Sequence, residues 1–265
     1  EKGRQYVFVA ATMPRNGKST TGQVLKKLFP EAEWVEGSEL HCGSTRVEHN
    51  WIDVSDGTSK AGALCRAVIE SSSSNDTHFP RTMVFAKTTK SAIGHFEALQ
   101  AAGVPVGSYY SGMNAAEKQR SLQAFKDGKL GVLVCTDSAA RGIDIPLIQH
   151  VIQADFASSA IDFIHRIGRT ARAGNVGKVT SICADEDQLL AAAIKKNISA
   201  GLPVEDAFSR KRSFRRKYKK YGESRTAPSV DYAKAEQKRT RSREAQRPQQ
   251  RSRSRSNQSF NKEWY

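Results

Sequence analysis

The chain has 265 residues, of which 38% are hydrophobic and 26% charged, enough for one or two globular domains. Its four cysteines lie far apart without metal-ligand spacing, which excludes a zinc-finger or disulfide framework and indicates reduced, mostly buried thiols in an intracellular protein. Because of this spacing, we expect no metal site formed by this chain. No apolar run approaches the roughly 20 residues of a membrane helix, so we expect no membrane association.

The net charge of +15 is distributed unevenly along the chain. Residues 209–265 contain 19 Lys/Arg and 5 Asp/Glu, whereas the first 208 residues contain 23 and 22. The excess positive charge therefore belongs to a C-terminal tail. A tail of this composition is typical of a disordered segment that binds a polyanion.

The chain begins with a short α/β segment. Tyr6–Ala11 is apolar and predicts a strand, Ser19–Phe29 predicts a helix that ends before Pro30, and Glu33–Val35 predicts a second strand.

Gly17-Lys18-Ser19 matches the end of a phosphate-binding P-loop. The complete pattern needs a glycine five residues before Gly17, and that position is Thr12. We therefore favour the start of a helix over a P-loop.

Residues 37–45 are polar and predict a linker, after which strands and helices alternate. The predicted strands are Glu48–Val54, Thr82–Ala86, Val104–Tyr109, Leu130–Val134, His150–Gln153 and Lys178–Cys183. The predicted helices are Ser59–Ser71, one that ends near Ala102, one from Asn114 to Gly128, one capped by Ser159, and Asp187–Ser199. This alternation predicts an α/β fold, in which a parallel sheet is connected by right-handed crossovers.

Polar residues follow the buried strand Leu130–Val134, where ligands of open parallel sheets collect. Thr136 and Asp137 come first, and Gly142 and Asp144 follow on the same connection. Further along lie three arginines within seven residues, and a guanidinium group is well shaped for phosphate oxygens. They are Arg166, Arg169 and Arg172. A solvated basic turn is the alternative interpretation.

Several segments resemble motifs of the DEAD-box RNA helicases. Motif V is matched by Cys135-Thr136-Asp137 and Ala140-Arg141-Gly142-Ile143-Asp144, and motif VI by residues 165–172, His-Arg-Ile-Gly-Arg-Thr-Ala-Arg. Phe85-Ala86-Lys87-Thr88 resembles motif IV, and Ala10-Ala11-Thr12-Met13-Pro14 resembles motif III with alanine in place of its first serine. Ala171 stands where the family more often has glycine. The resemblance extends from Tyr6 to about Ser199.

The resemblance implies four parts. Residues 1–36 would be the end of an ATP-binding RecA-like lobe, 37–45 the interlobe linker, 46–205 a C-terminal RecA-like domain with helices on both sheet faces, and 206–265 a disordered Arg/Ser-rich basic tail. The implied function is that of an ATP-dependent RNA helicase or RNA chaperone in ribosome assembly or RNA processing. The sequence contains no Walker A or Asp-Glu-Ala-Asp motif, so the ligands for Mg²⁺ would come from first-lobe motifs outside it. We expect RNA-dependent ATPase activity of the full-length protein and none of this chain alone.

The resemblance also implies residue roles. The catalytic arginine fingers would be Arg169 and Arg172, assisted by Arg166 and His165. The ATP contacts would be Gly142, Asp144, Arg169 and Arg172. Coupling between the lobes would involve Thr12, His165 and Arg166. The RNA contacts would be Thr88, Lys118, Arg120, Gly128, Thr136, Asp137, Arg141 and Gly142. Lys118 replaces an arginine of the family, and a lysine holds phosphate without the bidentate fork. A solvated face of this helix is an equally good interpretation of its basic residues.

The implied partner is RNA, single-stranded or in short duplexes, with ribosomal RNA and a ribonucleoprotein assembly as candidates and a monomer as the oligomeric state. Residues 210–221 mix cations with aromatic rings, which suits single-stranded RNA. Two alternatives stay open: a nucleotide-independent RNA-binding module and a structural component of a ribonucleoprotein. RNA is preferred over DNA on the resemblance alone. Similarity to a plant-type organellar subgroup favours the chloroplast or mitochondrion, and the Arg-Ser repeat at 251–256 favours the nucleus or nucleolus.

Overall fold

The computed structural model describes residues 4–13, 20–37, 46–54, 59–72, 79–145, 148–172 and 174–207. The P-loop-like Gly17-Lys18-Ser19, nearly all of the predicted linker and almost the whole basic tail lie outside these ranges.

Six strands form one sheet in the order β1-β6-β5-β2-β4-β3, and every neighbouring pair is parallel. The strands are β1 Val47–Asp53, β2 Thr82–Ala86, β3 Val106–Tyr109, β4 Val132–Thr136, β5 His150–Gln153 and β6 Gly177–Cys183. The helices are α1 Thr21–Leu28, α2 Lys60–Ile69, α3 Thr89–Ala101, α4 Ala115–Lys126, α5 Asp137–Ala140, α6 Ala160–Ile167, α7 Gln188–Ser199 and α8 Val204–Ala207. A short 3-10 helix, Asp185–Asp187, precedes α7.

Helices cover both faces of the sheet, because the central strands are apolar on both sides. The residues of β2, β4 and β5 are all buried. One core joins alternate strand residues such as Val84 to α2 and α3 through Leu64 and Leu99. The other core joins residues such as Phe85 to the helices α4, α6 and α7. The predicted RecA-like α/β fold class is confirmed.

The two predicted strands of the first 36 residues are wrong. Tyr6–Ala11 and Glu33–Val35 contain no strand residues. A strand needs a neighbour to satisfy its backbone groups, and no described segment pairs with either of these. The apolar residues 6–9 are therefore exposed, with Val9 at 91%, although Tyr6 and Phe8 lie against the ring of Phe29 on α1.

His150 is a buried polar residue at the start of β5, 2% exposed. Its Nε2 pairs with Thr180 Oγ1 at 2.8 Å, and its Nδ1 has no partner within the part of the chain that the structure describes. Burial, reinforced by the charge of Lys178, lowers the pKa of His150 to about 4. The folded domain thus holds this imidazole in its neutral form.

Acidification is expected to destabilise the domain through His150. The unfolded chain binds a proton near pH 6.5 and the folded chain only near pH 4, so stability falls as the pH drops between these values, by up to about 3 kcal/mol. Urea unfolding of the wild type and of His150→Gln, measured between pH 7 and 4, tests this. The glutamine variant should lose clearly less stability on acidification. If both proteins lose the same free energy of unfolding on acidification, the assignment of this effect to His150 is contradicted.

Candidate functional site

Polar side chains collect where the parallel strands end, at the carboxyl edge of the sheet. Strand β4 ends at Thr136, and β5 is followed two residues later by Asp155. The chain then enters α6, where Ser159 Oγ accepts a hydrogen bond from the Asp162 N–H at 3.1 Å and caps the helix. This cap fixes the start of the helix that carries His165 and the first of the three arginines.

Arg166 is the most enclosed of the three arginines, 1% exposed. Its Nε and Nη2 donate to the two carboxylate oxygens of Asp137, both at 2.7 Å. Its Nη1 donates to the Asp155 carbonyl at 2.6 Å and to Gln153 Oε1 at 3.3 Å. The guanidinium carbon lies 5.3 Å from the ring centre of Phe85. The fork is thus occupied by groups of its own domain.

This arrangement bears on two predicted roles, and both stay predictions: Arg166 as a bridge to the first lobe that assists catalysis, and Asp137 as an RNA contact. In this structure the two residues bind each other, because a buried guanidinium needs a carboxylate close by. The pair connects α6 to the start of α5 and thereby positions the other residues of this segment.

His165 lies one residue before Arg166 and contacts a different partner. Its Nε2 lies 3.0 Å from the Thr12 hydroxyl, 153 positions earlier in the chain. Burial lowers the pKa of His165, and the cations of Arg141 and Arg169 lower it further against the opposing charge of Asp162. A neutral imidazole therefore meets Thr12. The structure brings together this pair of residues from the motif III and motif VI segments.

Arg169 and Arg172 occupy the turn after α6. Arg169 is half-buried, and its Nη1 donates to the Ile143 carbonyl at 3.1 Å. Arg172 is exposed, and its Nε donates to the Gly168 carbonyl at 2.6 Å. Burial lowers the pKa of Arg169, and the neighbouring charge of Arg172 lowers it further. Two like charges held this close favour an anion beside them.

The connection between β4 and β5 lies beside these arginines. Gly142 has a φ of +73°, a conformation that favours glycine, and Asp144 is exposed on the same connection. Arg141 is 67% exposed and lies 3.5 Å from a carboxylate oxygen of Asp162. The shallow depression at the centre of the site is lined by Phe85, Asp137, Arg141, His165, Arg166 and Arg169.

Helix N-termini at the same edge form a second part of the site. Thr88 Oγ1 accepts from the Ser91 N–H at 3.1 Å to cap α3, and Asn114 Oδ1 accepts from the Ala116 N–H at 2.9 Å to cap α4. These helices have 13 and 12 residues, and the positive ends of helices attract phosphate groups. Thr136 is buried at the end of β4, with its hydroxyl 3.5 Å from that of Ser138.

The basic residues of α4 are divided between this edge and the opposite one. Lys118 Nζ lies 5.8 Å from the ring centre of Tyr109, and the exposed Arg120 donates from Nε to the Ala116 carbonyl at 3.4 Å. Gly128, whose RNA contact stays a prediction, follows the far end of α4, about 18 Å along the helix from its N-terminus, because α4 returns the chain to the start of β4. With a φ of +77°, Gly128 ends the helix.

Asp155 was missed by the sequence analysis. Its carboxylate accepts from the Lys87 N–H at 3.0 Å and from the Ser91 hydroxyl, and it lies 3.5 Å from Lys60 Nζ. A signal was present in the sequence, because Asp155 is an acidic residue two positions after the end of a buried strand.

The buried thiol of Cys135 supplies no thiolate to this site. Burial raises the pKa of Cys135 to about 12, so its thiol stays protonated. Within the described ranges, no three His, Cys, Asp or Glu side chains come together as a metal site. In those same ranges, every helix is too short or too polar to cross a lipid bilayer.

Ala171 has a φ of +54°, in the left-handed region that favours glycine. Ala171→Gly is therefore expected to stabilise the domain by about 0.5–1 kcal/mol, since the Cβ strain at this position disappears. Urea unfolding measures the change. Ala102→Gly is the matched control, because Ala102 ends α3 with a φ of −82° and should gain nothing. An equal effect of both substitutions would refute strain at Ala171.

Comparison with known proteins gives a consistent result. The family described as "Helicase conserved C-terminal domain" matches residues 59–174. "DEAD-box ATP-dependent RNA helicase 22" of Oryza sativa subsp. japonica is 47% identical over 224 residues, covering 83% of this chain and 38% of the relative. Its Arabidopsis thaliana namesake is 47% identical over 219 residues, covering 83% and 37%. The chain thus spans less than two fifths of the length of these relatives.

Among solved structures, "S. cerevisiae Dbp5 bound to RNA and ADP BeF3" is similar with a TM-score of 0.58 and 26% identity. That likeness covers 67% of this chain and 46% of the yeast chain. The sheet order, the motif V and VI arrangement and the two plant relatives agree. The chain therefore belongs to the DEAD-box family of ATP-dependent RNA helicases, and its six-stranded sheet is that of the family's C-terminal RecA-like domain.

Proposed function

We propose that the chain supplies the RNA- and nucleotide-responsive C-terminal domain of an ATP-dependent RNA helicase or RNA chaperone that remodels short RNA duplexes or ribonucleoproteins. The observation that carries the proposal is the placement of Arg169 at the depression, with Arg172 in the same turn, next to the contact of His165 with Thr12. Positive charges positioned at a cleft before a phosphoryl group binds are typical of phosphoryl-transfer enzymes.

The residues present fit the triphosphate of ATP. Burial and then the neighbouring charge of Arg172 lower the pKa of Arg169, so an anion between the two arginines would relieve the repulsion of their charges. Asp144 is exposed on the adjacent connection and would receive a ribose hydroxyl. Bound ATP with Mg²⁺ supplies the transferable phosphoryl group, and the ligands of Mg²⁺ would come from an ATP-binding lobe. The present residues orient the phosphates and add positive charge.

RNA would bind along the carboxyl edge of the sheet. The capped N-termini of α3 and α4 and the side chains of Lys87, Lys118 and Arg120 supply positive charge suited to backbone phosphates. The proposed partners are single-stranded RNA or short duplexes, and the protein would act as a monomer. Ribosomal RNA as the substrate and an organellar or nuclear location stay predictions.

The competing function is an RNA-binding module that works without nucleotide. The helicase function and the nucleotide-independent module can be distinguished by measuring the RNA affinity of a protein that joins this chain to an ATP-binding lobe. We expect a non-hydrolysable ATP analogue to tighten binding of a single-stranded RNA by at least about tenfold, because the analogue holds the two lobes against one RNA strand. Affinity that is equal with and without the analogue would favour the nucleotide-independent module.

A further inference from the structure

Asp155 is the polar centre between α2, β5 and the N-terminus of α3. Its side chain is 15% exposed. It accepts from the Lys87 N–H and the Ser91 hydroxyl, and it lies 3.5 Å from Lys60 Nζ and 3.6 Å from His95 Nε2. All of these donors surround one carboxylate, and none of the functional roles described above involves it.

The carboxylate is ionised in this setting. Burial alone would raise the pKa of Asp155, but the nearby imidazole of His95 and hydrogen bonds from the Lys87 N–H and Ser91 outweigh it and hold the pKa below its ordinary value. A buried charge of this kind keeps its donors in place, because each donor that moves away leaves it less solvated.

Two of the donors held by Asp155 lie on either side of Thr88, a residue of the proposed RNA-facing edge. Lys87 precedes Thr88, and Ser91 lies in the first turn of α3, which Thr88 caps. With the Lys87 N–H and the Ser91 hydroxyl both attached to one carboxylate, the turn between them has little freedom. Its direction decides where the N-terminus of α3 points.

The main chain of the same residue reaches the other part of the site. The Asp155 N–H donates to the Phe85 carbonyl at 3.2 Å, and its carbonyl accepts from Arg166 Nη1 at 2.6 Å. One residue therefore contacts both the turn that begins α3 and the buried arginine of α6.

We propose that Asp155 is a positioning residue, which sets the Lys87–Thr88 turn for an RNA phosphate and ties that turn to Arg166. The RNA part rests on the function proposed above. Asp155 does not touch RNA itself, since its carboxylate is enclosed by protein donors and would repel phosphate. Its effect on RNA passes through the turn that it holds.

The first measurement is hydrogen exchange of the backbone amides in residues 84–92 of the whole chain without RNA. In Asp155→Ala, exchange in this segment should accelerate by about tenfold or more, because its anchor is lost. Exchange in α7 should change little. The matched control is Asp185→Ala, which removes an equal charge from an exposed position and should leave residues 84–92 as in the wild type. Unchanged exchange in Asp155→Ala would overturn the positioning role.

The second measurement is photo-crosslinking of a uridine-rich single-stranded RNA to the same segment. Removing a negative charge should by itself strengthen RNA binding, so the electrostatic and positioning effects have opposite signs. We expect the crosslink yield at residues 84–92 to fall by about fivefold or more in Asp155→Ala and to hold or rise in Asp185→Ala. A yield that rises in both variants would overturn the proposal.

Asp155→Asn is a second variant that tests the proposal even if Asp155→Ala does not fold. Its amide oxygen still accepts from the Lys87 N–H and the Ser91 hydroxyl, so exchange and crosslinking should return to within about threefold of the wild type. If Asp155→Asn changes hydrogen exchange and crosslink yield as much as Asp155→Ala does, positioning through these hydrogen bonds is contradicted. If the wild type forms no crosslink at residues 84–92 while Asp155→Ala still accelerates exchange there, the RNA function fails and the anchoring of the turn stands.

Discussion

Replacing Arg169 by alanine, in a protein that joins this chain to an ATP-binding lobe, is expected to lower RNA-stimulated ATP hydrolysis by at least about a hundredfold. An arginine that meets the phosphoryl group only in the closed state contributes about 10³–10⁵ in rate in other phosphoryl-transfer enzymes. The lower bound allows for Arg172, which lies in the same turn. Phosphate release at saturating RNA is the measurement.

Arg169→Lys should recover little of the activity, because lysine has one point charge and lacks the planar fork. Arg66→Ala is the matched control, since Arg66 is exposed on α2 and its loss removes the same charge. RNA affinity without nucleotide should change only slightly in all three variants. If Arg169→Ala weakens RNA binding strongly while hydrolysis survives, then Arg169 binds RNA phosphate and its catalytic assignment fails.

Replacing Arg166 by alanine should destabilise the folded domain by about 3 kcal/mol or more. The substitution empties a buried site and leaves the carboxylate of Asp137 without its two 2.7 Å donors. It also removes the donor to the Asp155 carbonyl. Urea unfolding of this chain measures the loss. Arg141→Ala is the control, because the exposed pair that Arg141 forms with Asp162 contributes at most about 1 kcal/mol.

A double-mutant cycle tests whether the partner of Arg166 is the carboxylate of Asp137. Once Asp137→Ala has removed the charge, the further loss of Arg166 should cost less than it costs alone, with a coupling of about 1–3 kcal/mol. Costs that add to within about 0.5 kcal/mol would show that the arginine stabilises the domain through packing and its carbonyl partners instead.

The central strands were predictable because each carries enough local information. Thr82–Ala86 and His150–Gln153 are observed as predicted, since an apolar run between polar connections has one buried arrangement in a parallel sheet. The predicted end of the fourth strand fell two residues short, at Val134. Thr136 is polar, but it is paired with Ala86 in the sheet and therefore belongs to β4. The end of a strand depends on hydrogen-bonded pairing with a neighbouring strand, and the sequence of one segment does not reveal that pairing.

The three arginines of the site show where sequence reasoning stops. Arg166 and Arg169 are three residues apart, identical in type and both at the depression, yet Arg166 is enclosed and Arg169 is only half-buried. The difference comes from Asp137, 29 positions earlier, which the fold places beside Arg166. Asp155 was overlooked for the same reason, because its donors come from three other segments. The motif pattern located the site, and only the tertiary arrangement separated its structural residues from its accessible ones.

The exposed segment before α1 has a practical consequence for handling this chain. Residues 6–11, Tyr-Val-Phe-Val-Ala-Ala, combine high β-propensity with no charge and no proline. Such hexapeptides are prone to stack with copies of themselves when water reaches them. Residues 6–11 are therefore expected to promote self-association in concentrated solution, and a charged residue in place of the exposed Val9 is expected to reduce it without altering either core.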